Sequence, residues 1–98
     1  MQVTARFVCT GAKQLFQHWY RNEGGEQCSP DAPGAEAVIH EEVEFVPIWT
    51  GHPADNSYSE ATPSGALQMH ISNPAVIGFF KSGEVYDLAI THHPKKGA

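Results

Sequence analysis

The chain has 98 residues, a length that suits one domain with a limited core and a large surface fraction. Its formal net charge is −5 with only six Lys and Arg residues, which argues against a nucleic-acid partner because phosphate neutralisation needs clustered basic groups. No apolar run approaches the ~20 residues of a membrane span, and the first residues lack a signal-peptide pattern, so we expect a cytoplasmic protein without a membrane anchor.

The N-terminal part of the chain predicts a strand followed by an ambiguous segment. Every second residue of Val3–Cys9 is apolar, which predicts a half-buried strand that ends at Gly11. The aromatic spacing within Lys13–Arg21 fits a turn of amphipathic helix, yet its aromatic content also suits a strand, and both alternatives stay open. Residues 22–34 are rich in Gly and Pro and predict a long loop.

The middle of the chain predicts one long extended segment, Ala37–Trp49. The apolar residues change face between Phe45 and Val46, which predicts a β-bulge or a passage to a second sheet just before Pro47. Because proline cannot donate to a strand ladder, Pro47 is expected at a sheet edge. Residues 50–64 predict a second long loop.

Residues 61–88 show the most regular pattern in the chain. Leu67–Ile71 alternates as a strand with one apolar face, and the Asn73-Pro74 pair predicts the start of a short helix at about 74–80. Gly83 is suited to the left-handed backbone conformation that ends such a segment. We interpret this stretch as scaffold and expect function in the loops that it holds.

A final strand is predicted over Val85–Thr91, followed by a flexible tail at 92–98. Four to five strands and one short helix predict a mainly β fold, a small antiparallel barrel or sandwich that forms a single domain over residues 1–98. Cys9 and Cys28 allow one disulfide at most. Reduced thiols are the expectation, although the sequence leaves their pairing open.

The polar residues predict neither a catalytic centre nor a metal site or cofactor. Six histidines are present, but their only close pair is His92-His93, which does not have the spacing of converging zinc ligands. A nucleophile turn of the G-x-S-x-G type and a phosphate-binding glycine loop are both absent from the sequence. We therefore expect a non-enzymatic protein.

Aromatic side chains near the two polar loops give the best indication of a binding surface. Such residues are enriched at interfaces, and equally they fill small cores, so the alternative is that Trp49 packs at the core end while the others cover the domain. Arg21 is one of the few cations outside the tail. The predicted binding residues are Phe16, Trp19, Tyr20, Arg21, Trp49 and Tyr58.

The C-terminal half carries a spaced set of motifs. Ala61-Thr62-Pro63-Ser64-Gly65 is followed by an alternating strand, then by Asn73-Pro74-Ala75, Phe80, Gly83 and Tyr86. This order resembles a group of small uncharacterised phage and prophage proteins over about the last 45 residues of the chain. The resemblance implies a phage accessory protein and carries no catalytic residues.

These patterns lead to three functional hypotheses. The first is a phage accessory protein that binds a host protein or small ligand in the host cytoplasm, for example to counter antiviral defence. The second is a virion-associated structural or decoration protein, and the third is an oligomeric sponge for a nucleotide signal, which the scarcity of basic residues disfavours. A homo-oligomer is expected, with pairing along the Ala37–Trp49 edge to bury Val38 and Ile39.

Overall fold

The structure, a computed structural model, describes residues 2–95, and their strands form one antiparallel sheet. This confirms the predicted mainly β, antiparallel fold. The strands are β1 Gln2–Arg21, β2 Gln27–Cys28, β3 Glu36–Pro47, β4 Leu67–Ile71 and β5 Val85–Thr91, and a single turn of 3₁₀ helix spans Pro53–Asn56.

β1 is the central strand of the sheet. From Phe7 to Arg21 it pairs with β3, with interruptions at Thr10 and at residues 17–19. Its other edge pairs with β5 near the N-terminus and with β2 at Tyr20 and Arg21. β4 adds to the outer edge of β3. Because β4 and β5 lie at opposite edges, the sheet of the described residues stays open and does not close into a barrel.

The Lys13–Arg21 segment is strand, which settles the ambiguity of its sequence. Gly11 does not end the first strand as predicted; a shift of register between Cys9 and Gly11 lets β1 continue for 20 residues in all. A second irregularity lies between Phe16 and Tyr20, where His18 has a φ of 65°. Pairing along β3 therefore overrides the local break that Gly11 suggests.

The irregularity that the sequence predicts in β3 lies instead in β1. Phe45 and Val46 pair with Cys9 and Val8 in unbroken register, so the bulge or sheet change predicted before Pro47 is wrong. The apolar residues change face there because both faces of the sheet carry apolar groups. Pro47 lies beyond the end of β4, at a point where β3 has no outer neighbour, as its missing N–H requires.

The core lies on one face of the sheet. Val43 and Phe45 at its centre are at most 2% exposed. Partly buried side chains from the two edge strands and from residues 76–80 pack against it. The buried apolar residues of this core are Ala5, Phe7, Cys9, Val43, Phe45 and Ile71.

Residues 73–82, here called the flap, cover part of this core face. The helix predicted at about 74–80 is not formed: one helical turn at Asn73–Ile77 is followed by further turns. Gly78 has a φ of 87°, a conformation that ends a right-handed helix after its first turn. Gly83, at a φ of 90°, ends the flap as predicted, and its N–H donates to the carbonyl of Cys9 at 2.8 Å.

The molecule is flat and elongated, measuring 55 × 42 × 15 Å. Its radius of gyration is 18.3 Å, whereas a compact domain of this length has about 13 Å. The excess comes from residues 15–40, here called the arm, where β1 and β3 run beyond the ends of β4 and β5 and are joined by the loop that holds β2.

Residues 96–98 of the predicted flexible tail lie outside the described residues, and 92–95 carry no helix or strand. Among residues 2–95, no helix is long and apolar enough to cross a membrane.

Candidate functional site

An apolar groove crosses the core face of the sheet. It consists of two adjoining cavities of about 280 and 320 Å³, which share Phe7, Leu67 and Leu88 as their common floor. The flap borders the first cavity, and residues 58–66 border the second. The groove thus lies between the two segments that connect the strands.

Aromatic rings form the flap side of the groove. The ring of Phe80 meets those of Phe45 and Tyr86 edge-on, with centroids 5.2 and 5.0 Å apart. Phe79 stacks edge-on against Phe80 at 4.9 Å, yet it is 62% exposed. Edge-to-face contacts fix these rings relative to one another, so the wall is preorganised and leaves Phe79 open to a ligand.

The hydroxyl of Tyr86 holds the flap to β5. It accepts the Lys81 N–H at 2.9 Å and donates to the Phe79 carbonyl at 3.2 Å. Glu41, a carboxylate only 2% exposed, accepts the Gly78 N–H at 3.2 Å from the floor of the sheet. Two polar contacts from separate strands therefore position the groove wall.

The 3₁₀ turn of the second loop is tied to the N-terminal half of β1. Asn56 is 1% exposed, and its side chain accepts the Arg6 N–H at 2.9 Å and donates to the Ile48 carbonyl at 2.8 Å. Ser57 Oγ accepts the Thr4 N–H at 2.8 Å. These side chains form hydrogen bonds with the backbone of β1 before Phe7, where β3 does not pair with it.

A charged cluster lies beside this turn. The guanidinium of Arg6 binds Asp87 through two bonds of 2.7 and 3.2 Å and reaches Asp55 at 3.1 Å. The hydrogen bond from Arg6 holds the pKa of Asp87 below its ordinary value, and the same bond raises the pKa of Arg6. Asp87 is 68% exposed, so the pair fixes geometry more than it stabilises the fold.

The structure does not gather the six predicted binding residues on one surface. Phe16 and Tyr20 do lie together on the arm, with ring centroids 5.6 Å apart, and Trp19 and Arg21 are half-buried on the same strand. Trp49 follows the far end of β3 and is 53% exposed, so it does not pack at the core end. Phe7, the partner of Pro47 near Trp49, is nine positions from Phe16 along β1, a distance of roughly 30 Å.

Tyr58 is the predicted binding residue that reaches the groove. It lines the second cavity, is 41% exposed, and its hydroxyl donates to the Ser64 carbonyl at 3.3 Å. The predicted set therefore divides between the arm, the end of β3 and the groove.

The described part of the chain contains no cluster of metal-ligating side chains and no disulfide. No three His, Cys, Asp or Glu side chains of residues 2–95 are placed to share a metal ion. His70 lies 3.8 Å from Glu42, a single pair across β3 and β4. Cys9 is buried, Cys28 is half-buried, and both are free thiols.

No protein-family model, curated protein or solved structure matches the chain. The phage resemblance of the C-terminal motifs therefore stays a prediction, and the site is interpreted from its own residues.

Most of the groove lies in the stretch that the sequence favours as scaffold. The alternation of β4 and β5 identifies Leu67 and Leu88 as core residues and does not show that the space above them is left open. The adjacent pair Phe79-Phe80 is the usable signal. Two bulky neighbours on a short turn cannot both point inwards, so one of them has to face solvent or a ligand.

Proposed function

We propose that the chain is a non-enzymatic phage accessory protein whose groove binds an apolar segment of a host protein. The observation that carries this proposal is the exposed Phe79 ring beside two adjoining apolar cavities. Large exposed aromatics next to preformed pockets are typical anchors of protein interfaces. The phage setting rests on the resemblance of the C-terminal motifs and stays a hypothesis.

The chemistry of the groove favours a peptide segment over a phosphorylated ligand. Its described lining contains Asp87 and no Lys or Arg, so a phosphate has no cationic partner there. The nucleotide-sponge hypothesis is accordingly the weakest of the three. With a net charge of −5, the chain suits a segment whose apolar anchors are flanked by basic residues.

The test is affinity capture from a host lysate with matched variants. Wild type, Phe79→Ala and Val46→Ala are immobilised, and retained proteins are quantified by mass spectrometry. Val46 is the matched control, because it is 40% exposed on the opposite face of the sheet. We expect proteins that bind both wild type and Val46→Ala to be lost from Phe79→Ala. The loss should be larger at raised salt, because salt screens the attraction of the acidic chain for basic residues and leaves the apolar anchor to hold the partner.

Two outcomes contradict the proposal. Equal retention by Phe79→Ala removes the groove as the binding surface, and repeated failure of wild type to retain any protein removes the binding function. Circular dichroism melting of both variants verifies that each is folded before the comparison is made.

The virion-associated role is the second candidate, and the arm favours it. A projecting two-stranded ribbon with unpaired edges suits contacts in a larger assembly. Mass spectrometry of purified particles tests this role. Detection of the chain at a stoichiometric level supports a decoration protein, and its absence from particles excludes one.

A further inference from the structure

We propose that two copies of the chain pair antiparallel along the open edge of β1. This edge is the side of Gly11–Trp19 that faces away from β3. β5 bonds this side of β1 only as far as Cys9, and β2 joins it only at Tyr20. Within the described residues, no strand lies against Gly11–Trp19 on this side. Its regular part, Gly11–Phe16, is about 20 Å long and presents a row of unpaired N–H and C=O groups, and the irregularity at His18 ends this row.

The area of the chain agrees with a second copy as the occupant. A compact monomer of 10.7 kDa exposes about 5,500 Å², whereas this chain exposes 7132 Å². The excess, roughly 1,600 Å² per chain, is surface that the flat shape leaves exposed, and pairing of two arms along their edges covers part of it. A two-stranded ribbon is also marginal by itself, and pairing turns two arms into a four-stranded sheet.

The amino-acid composition of the open edge makes it a better pairing surface than the other edges of the sheet. Sheet edges that stay monomeric are usually guarded by charges, proline, bulges or shortness. The segment Gly11–Phe16 lies between two irregularities of β1, but within it Lys13 is the one Lys, Arg, Asp or Glu and there is no proline. If the two-fold axis lies at Gln14, Leu15 or Phe16, Lys13 faces an uncharged residue of the second copy. Self-pairing therefore opposes no like charges.

The edge of β3 is less suited to pairing with a second copy. This differs from the expectation from sequence that the chains pair along Ala37–Trp49. Val38 is only 3% exposed within one chain, so it needs no partner to bury it. Residues 41–45 of that edge already pair with β4, which leaves only Glu36–His40 free. The regular part of the open β1 edge, Gly11–Phe16, is slightly longer and carries one charged residue, whereas Glu36–His40 begins with a glutamate and continues into the glutamates of the β4-paired part.

Cysteine scanning of the purified chain tests the pairing directly. Single cysteines replace residues 13 to 17 one at a time in a Cys28→Ser background, and Gln68→Cys on the outer strand β4 is the matched control. Directly opposed residues in antiparallel strands have Cα atoms about 4.5–5.5 Å apart, within disulfide range. We expect mild oxidation to cross-link a position among 13–17 and to leave Gln68→Cys monomeric.

Sedimentation equilibrium gives the second readout. Wild type at micromolar concentration should sediment as a dimer of about 21 kDa, twice the chain mass of 10.7 kDa. Leu15→Lys places lysines directly opposite each other when the axis lies at Gln14 or Leu15, and removes an apolar side chain from the pairing in every case. It should raise the dimer Kd at least about tenfold, whereas His40→Lys on the free edge of β3 should not. Circular dichroism confirms that each variant folds.

Three results overturn the proposal: a wild-type monomer, the absence of cross-linking at all of positions 13–17, or dissociation by His40→Lys with Leu15→Lys unaffected. The last result assigns the interface to β3. Because the purified chain alone is measured, none of these results bears on whether the groove binds a host segment.

Discussion

Asn56 takes the place of a strand neighbour for the first residues of β1. Its amide group has the donor and acceptor of a peptide unit, and it bonds Arg6 on one side and Ile48 on the other across about 3 Å each. When a buried backbone N–H or C=O loses its hydrogen-bond partner, the folded state is destabilised by the full desolvation penalty of that group. A single polar side chain thus closes the ladder where β3 ends.

Replacing Asn56 should destabilise the chain markedly. Asn56→Ala leaves two backbone groups without partners, and we expect the free energy of unfolding to fall by about 2–4 kcal/mol. Asn73→Ala, which removes one exposed bond to the Ala75 N–H, is the control and should cost at most about 1 kcal/mol. Urea denaturation of the two variants makes the comparison, and equal losses would contradict the role of Asn56.

The bidentate pair of Arg6 and Asp87 gives a pH dependence of known sign. The hydrogen bond from Arg6 lowers the pKa of Asp87 from 3.8 in the folded chain. Its contribution to stability is therefore complete above the unfolded-state pKa and disappears as the pH falls through the lower folded-state pKa. We expect the stability difference between wild type and Asp87→Asn to be constant near neutral pH and to shrink below about pH 4.

Nuclear magnetic resonance titration of the Asp87 carboxyl verifies the cause. Its midpoint should lie below 3.8 in wild type and return towards that value in Arg6→Gln, which lacks the guanidinium. An unchanged midpoint in Arg6→Gln would assign the shift to another group.

At the scale of elements, the flap forms one wall of the groove. It is exposed over most of its length and is held by the ring contacts of Phe80, the Glu41 carboxylate and the Tyr86 hydroxyl. Segments with few buried contacts open at the lowest free energy cost. The width of the groove should therefore depend on how firmly these contacts close the flap.

Removing the Tyr86 hydroxyl should loosen the flap and leave the sheet intact. In Tyr86→Phe the ring contacts remain, while the bonds to Lys81 and Phe79 are lost, at a cost of about 1 kcal/mol. Hydrogen exchange measured by mass spectrometry should show faster exchange at residues 76–83 and unchanged exchange in β1 and β3. Tyr58→Phe, whose hydroxyl bonds Ser64 instead, should leave the flap unaffected.

At the scale of the whole molecule, the shape follows from the unequal lengths of the strands. β1 has 20 residues and β3 has 12, whereas β4 and β5 have five and seven. β1 and β3 extend beyond the ends of β4 and β5 and form the arm. The arm therefore consists of a single sheet layer. A thickness of 15 Å leaves room for the sheet and a thin cover, so much of the surface lies far from the core.

The elongation is measurable in solution. Small-angle scattering of Leu15→Lys at low concentration should give a radius of gyration near 18 Å, compared with the ~13 Å of a compact domain of this length. Trimming the arm loop to a short turn should leave the value nearly unchanged, because the paired strands set the length. A radius near 13 Å would mean that the arm folds back on the core face.

The sequence by itself predicted the features that depend on neighbouring residues. Alternation with a period of two identifies β4 and the N-terminal half of β1, and Gly83 is identifiable because its turn requires a positive φ. The edge position of Pro47 follows from its sequence because a missing N–H has the same consequence in any sheet. Each of these features is fixed within a few residues of chain.

Only the tertiary structure decided the features that depend on distant pairing. Gly11 does not end β1, because β3, more than 30 residues away, continues the ladder past it. Asn56 has its role because Arg6, 50 residues earlier, needs a partner there. Phe79 is left at the rim of the groove because Phe80 packs against the core; the adjacent pair indicates that one ring faces outwards, and the tertiary structure decides which one. Local propensities are small compared with the burial and pairing that distant strands supply, so the roles of these positions do not follow from the sequence alone.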